Sequence, residues 1–293
     1  MDPKVSEGSP FRKPPRVPAL CRDASGKSLA GGAAVESNSQ NGESEALLLA
    51  LAEAVEQRDP HLARHCERLA FTSVALGMAL HLERGSLIAL YRGGFLHDIG
   101  KVGIPDEILF QPTRLTPEQW DIMRTHTVRG ERICRHVKAF RPVLPIIRHH
   151  HERWDGCGYP DGLRGNEIPL LARILQVADI YDALTSSRPY KPAYSAKEAL
   201  RILETETELG LRDPEIVNLF LRLHGSVISR IDELSLNEDC RFETMRSTLS
   251  RLGDAVNGAD RGELSPLRPN GRTSFPLPQS EPESDFPWAA ADR

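Results

Sequence analysis

A chain of 293 residues, 40% hydrophobic and 27% charged, has the make-up of an ordinary soluble globular protein. Its net charge of -4 excludes a binder of nucleic-acid polymers that works through bulk positive potential, so an anionic substrate must be met by a few local cations. No apolar run approaches the roughly 18 to 20 residues of a membrane span, and the Met-Asp-Pro-Lys start has no apolar stretch behind it, so neither a membrane span nor a signal peptide is expected and the cytoplasm is.

In chain order, residues 1–43 are rich in Pro, Gly, Ser and charge, which predicts a disordered tail. Leu, Ala and Val then recur at helical spacing over 44–58, until Asp59-Pro60 interrupts them. A second helix is predicted over 60–80, with Leu62, Leu69, Leu76 and Leu80 on one side. A third, over 84–98, ends near His97-Asp98, with Gly100 and Gly103 just beyond. Thr116-Pro117-Glu118-Gln119 reads as an N-cap with proline at the first helical position, opening a helix that runs to Thr125. Further helices are predicted over 128–137, from Pro142 or Pro145 to the histidine triplet, from Pro169 to Ser186, over 195–208 and over 213–223. Weaker ones follow over 226–235 and 239–252, and a Gly/Pro-rich loop spans 153–167. With no strand alternation and no internal repeat, the fold class is all-α: one helical domain over 44–255, followed by a second disordered tail over 256–293.

Chemistry is concentrated in the histidines. The chain has ten, most of them between His61 and His151. His97 and Asp98 adjoin at the polar end of an apolar helix, where neighbouring side chains point about 100° apart and can flank one site. Taken alone, such a pair reads rather as a hydrogen-bonded turn. His150 and His151 follow another apolar segment, and His149 reads as a supporting or surface residue. Asp179 lies in the apolar stretch LARILQVADIYDALTS, where a carboxylate is costly unless paired or metal-bound. Asp182, on the same face, reads as a surface salt bridge. His61 and His65 stand at i, i+4 spacing, and His126 closes the helix that Pro117 opens. His81, His136 and His224 stand alone and read as structural or surface residues. Five histidines and two aspartates suffice for two metals, and imidazole with carboxylate suits iron, manganese or zinc. The five scattered cysteines form no C-x-x-C pair, which fits a reducing compartment and disfavours a thiolate zinc site. Two close metals form a clamp for hydrolysing phosphate esters.

The stretches FLHDIGKVGIPDEIL and HHERWDGCGYPDGLRGNEIPLLARILQVADIYDALTSSRPYK resemble the signatures of the HD-GYP domain, a branch of the HD phosphohydrolase superfamily. The resemblance runs from about Arg58 to about Leu223. It implies an HD-type helical domain with extra C-terminal helices, acting as a cyclic-di-GMP phosphodiesterase that by metal-activated water yields pGpG, with further cleavage to GMP left open. It also implies a centre of two or three iron or manganese ions held by His65, His97, Asp98, His126, His150, His151 and Asp179, with Asp98 bridging. Lys101 matches the lysine that contacts the scissile phosphate, Arg188 and Lys191 match cations that grip the substrate, and Tyr159 lies in the loop tied to substrate and to protein partners such as a diguanylate cyclase. Members with three metals carry a glutamate where this chain has His61, so two ions are expected, and zinc or a third ion is left open. Leu62, Ala63, Gln111-Pro112-Thr113 and Arg124 also depart from the pattern without removing a ligand. The alternatives are a catalytically weak signalling module and a phosphodiesterase for another cyclic dinucleotide such as 3′,3′-cGAMP.

Overall fold

A computed structural model describes residues 46–48, 50–52, 64–187, 192–231, 252–254 and 256–257. The expectations for the tail over 1–43, for the tail over 256–293 apart from residues 256–257, which are helical, for His61, for Arg188 and Lys191, and for a helix over 239–252 apart from residue 252 lie outside them. The regular elements among the described residues are all helical, with no strand among them. Helix α1 spans His65–Ala79, α2 Arg84–Leu96, α3 Asp106–Leu109, α4 Pro117–Arg124, α5 His126–Cys134, α6 Leu144–His149, α7 Leu170–Thr185, α8 Ala196–Glu208 and α9 Pro214–His224. Short 3₁₀ segments at Ile99–Gly103, Lys138–Val143, Gly165–Glu167 and Ile228–Arg230 connect them.

Local chemistry accounts for the ends. Thr116 and Gln119 form the capping box that the Thr-Pro-Glu-Gln sequence predicts, and Ser195 with Glu198 forms another ahead of α8. Asp213 caps α9 by accepting from the N–H groups of Glu215 and Ile216, with Pro214 in its first turn. Of the predicted helix over 60–80, the described part is helical over His65–Ala79, with Arg64 before it in a left-handed backbone at φ 62°. The helix predicted from 128 starts two residues earlier, at His126.

Helices α1 and α7 bury most of their circumference, so they form the centre of the domain rather than one face of it. Leu69, Val74 and Leu76 of α1 meet Leu90 and Leu96 of α2, Ile146 and Ile147 of α6, and Ile174, Leu175 and Leu184 of α7 in one core. Glycines set the closest approaches. A Cβ at Gly94 would fall 2.5 Å from the Ala70 backbone where α1 meets α2, and one at Gly100 would fall 1.8 Å from the His126 carbonyl oxygen. The second contact draws the segment after His97-Asp98 against the start of α5, which brings two histidine-bearing elements together.

Candidate metal centre

Helix termini converge at this point. His65 opens α1, His97 caps the end of α2 with Asp98 behind it, His126 opens α5, and His150 caps the end of α6 with His151 following. His65 is 4% exposed, and His97, His126 and His150 are 1% exposed.

One device aims three of the rings. Nδ1 lies 3.0 Å from the Gly94 carbonyl oxygen in His97, 2.8 Å from that of Met123 in His126 and 2.9 Å from that of Ile147 in His150. A carbonyl only accepts, so each Nδ1 carries a hydrogen and donates it three residues back, which turns Nε2 into the cluster. His65 departs from this device: its Nδ1 donates to Asp182 Oδ2 at 2.6 Å, and its Nε2 faces Asp179 Oδ1 at 3.6 Å.

The inward nitrogens face one another and a carboxylate. His126 Nε2 is 3.5 Å from His150 Nε2 and 3.4 Å from Asp98 Oδ1, and His150 Nε2 lies 4.0 Å from that same oxygen. His97 Nε2 stands 3.3 Å from Asp98 Oδ2, and Lys101 Nζ is 2.8 Å from it. The buried atoms His97 Nε2 and Asp98 Oδ1 make no hydrogen bond among the described residues. Burial holds His126 neutral, lowering its pKa to about 4, and pushes His150 and His151 well below the usual histidine value. Burial opposes charge on Asp98, but Lys101, His97 and His126 outweigh it and hold the carboxyl well below its ordinary range. Burial likewise works to lower His97, yet the Asp98 charge raises it. A proton on Nε2 is one way to meet that carboxylate; a metal ion is another. Neutral imidazole lone pairs crowded against a buried carboxylate repel, and a cation among them removes the cost.

Two sets of ligand atoms, each within 4.8 Å of one another, result: Asp98 with His126, His150 and His151, and Asp98 with His65 and His97. Asp98 is common to both. All seven residues expected from the sequence meet here, Asp179 through its approach to His65. His149 lies beside Glu152 and Asp161, at 3.7 and 3.5 Å. That third grouping of potential ligands is already engaged. Glu152, fully buried, accepts the N–H groups of Asp161 and Leu163 at 2.7 and 3.0 Å, while Arg148 donates to both oxygens of Asp161 and to Glu131.

These bonds tie the loop after the histidine triplet back onto α6. Gln176 donates to the carbonyls of His150 and Glu152, and a Cβ at Gly158 would fall 2.2 Å from the Arg153 nitrogen, so only glycine permits the loop to lie there. The ring of Tyr159 thereby stacks on His151 at 4.9 Å, and the Arg124 guanidinium lies over the rings of Trp120 and Tyr159.

One expectation is corrected. Asp182 is no surface salt bridge: it is 7% exposed and joins His65 to Arg68, which donates to it through Nε and Nη2. Burial opposes its charge, but His65 and Arg68 hold its pKa far below the usual carboxylate value. Its spacing of three from Asp179 gave the shared face; the partner 117 residues away was the missing information. His224 pairs with the Tyr181 hydroxyl at 2.6 Å, as a structural residue, and His81 and His136 are exposed.

A family model described as HD domain matches residues 50–216. The chain is 39% identical over 207 residues to a cyclic di-GMP phosphodiesterase of Thermotoga maritima, a match covering 69% of this chain and 55% of that protein. It is 40% identical over 174 residues to the cyclic di-GMP phosphodiesterase response regulator RpfG of Xanthomonas campestris, covering 59% and 46%. It is 36% identical over 171 residues to the 3′3′-cGAMP-specific phosphodiesterase 3 of Vibrio cholerae, covering 58% and 37%. The chain thus spans about half the length, or less, of these relatives.

Proposed function

The chain belongs to the HD domain family and carries the sequence signature of its HD-GYP branch, and from that premise we propose that it is a metal-dependent phosphodiesterase that hydrolyses cyclic-di-GMP. The observation that carries the reading is the crowding of His126 Nε2, His150 Nε2 and Asp98 Oδ1 within 3.4 to 4.0 Å, a set of buried acceptors whose mutual repulsion a bound cation relieves. The helical domain over 44–255 is the catalytic unit in this reading. His126, His150 and His151 hold one ion, His65, His97 and Asp179 a second, and Asp98 joins them. Iron or manganese matches the donor set, which contains no thiolate. Bound there, the ions supply the acidity that activates water and the positive charge that meets the phosphoryl oxygens.

The protein's own groups do the rest. Asp98 stays ionised beside Lys101. The Lys101 ammonium, within reach of the same space, contacts the scissile phosphate and supports the departing ribose oxygen. Arg188 and Lys191 grip the remaining phosphate through charge-assisted hydrogen bonds. Tyr159, stacked on His151, forms an aromatic wall for the substrate, and its loop is the surface offered to a signalling partner such as a diguanylate cyclase.

The test is anaerobic loading of the purified chain with Fe(II) or Mn(II), followed by separation of cyclic-di-GMP, pGpG and GMP. Turnover that Asp98→Ala abolishes is the expected result. No turnover with any metal, or an Asp98→Ala protein equal to the parent, overturns the reading. The similarity to a protein named for 3′3′-cGAMP favours a second substrate, so both cyclic dinucleotides belong in one competition assay at equal concentration.

A further inference from the structure

We propose that Asp182 is a positioning residue of the centre: anchored by Arg68, it holds His65 with its hydrogen on Nδ1 and its Nε2 lone pair turned toward Asp179 and the Asp98 group. This rests on the reading of His65 as a metal ligand. The reason a separate residue is needed lies in the helix geometry. His97, His126 and His150 each find a carbonyl three residues back, within the turn of chain that precedes them. His65 is the first residue of α1, and Arg64 before it takes a left-handed backbone. Asp182, from the far end of α7, takes the place of that carbonyl at 2.6 Å.

Asp182 is itself fixed. Arg68, one turn after His65, donates to both its oxygens, and Arg68 Nη2 and the Ser186 hydroxyl lie 3.1 Å apart. One carboxylate thus joins α1 to α7 at the level of the site. A hydrogen-bonded carboxylate behind a metal-binding imidazole sets its tautomer and orientation, and losing such a partner costs about 10- to 100-fold in metal affinity. A cavity of about 410 Å³ is lined by Asp182, Arg68, Ser186, Tyr194 and Ile228 among others. A small carboxylate can therefore reach the place of the Asp182 side chain.

The experiment has two parts. On the metal-free wild type with ¹⁵N-labelled histidine, long-range ¹H–¹⁵N correlation should show His65 as the Nδ1–H tautomer; finding Nε2–H overturns the assignment without any variant. Mn(II) is then titrated against a competing chelator into wild type and Asp182→Ala, both checked for helicity. The expected result is that Asp182→Ala loses about 10- to 100-fold in affinity for one of two ions, keeps the other, and recovers with formate but not with chloride. If wild type binds two ions and the folded variant binds both as tightly, the positioning role falls while the metal reading stands. If wild type binds none, both fall.

Discussion

At the scale of single residues, the site is an exercise in deciding where hydrogens sit. Each of three imidazoles spends its Nδ1 hydrogen on a backbone carbonyl, so the ring cannot turn without breaking a buried bond. Nearly all of this centre was legible in the sequence. Adjacent pairs such as His97-Asp98 and His150-His151 announce themselves, and the long match to a known signature fixed their company. Asp182 was not legible, because a carboxylate three residues after another on a helix looks the same whether its partner is water or His65. For Lys101, whose ammonium stands 2.8 Å from Asp98, substitution by alanine is expected to lower kcat by about 10²- to 10⁴-fold with little change in KM, measured by product release from saturating cyclic dinucleotide.

At the scale of elements, helices were read well where caps were written in the sequence, as at Thr116, Ser195 and Pro214. Short connectors were read poorly. The helix over Asp106–Leu109 and the 3₁₀ segment over Lys138–Val143 are too brief for periodicity to register, and they exist because neighbours pack on them. The contact of the Ile99–Gly103 segment with α5 makes a sharp prediction. Gly100→Ala would drive a methyl to 1.8 Å from the His126 carbonyl oxygen, so we expect a loss of about 1–3 kcal/mol or more, read as a lowered Tm, together with weaker metal uptake. The tethered loop gives another. Glu152→Gln places an amide N–H₂ against backbone donors that now point at a carboxylate; a loss of about 1–3 kcal/mol and a raised KM are expected, the second from a loosened Tyr159, measured by thermal melts and initial rates.

At the scale of the whole molecule, candidate ligands drawn from α1 to α7 make pH a property of the fold. His126, His150 and His151 titrate below their ordinary value of 6.5, His126 at about 4. A histidine whose folded pKa is depressed contributes stability that is full above its unfolded pKa and lost as pH falls through the folded one. His97, raised by Asp98, contributes in the opposite sense and is outnumbered four to one once His224, lowered by burial, is counted. With chelator present, the Tm should therefore fall as pH drops from about 6.5 toward about 4, and a Tm that is flat or rises across that window contradicts the described burial. Among the described residues, no helix is long and apolar enough to cross a membrane. The short link between Lys101 and Asp98 has one more consequence. The ammonium is a tethered counter-ion that rides on the chain itself, so the Asp98 charge is met by the chain's own lysine. Lys101→Met should then lower the Tm more in chelator than in excess Mn(II).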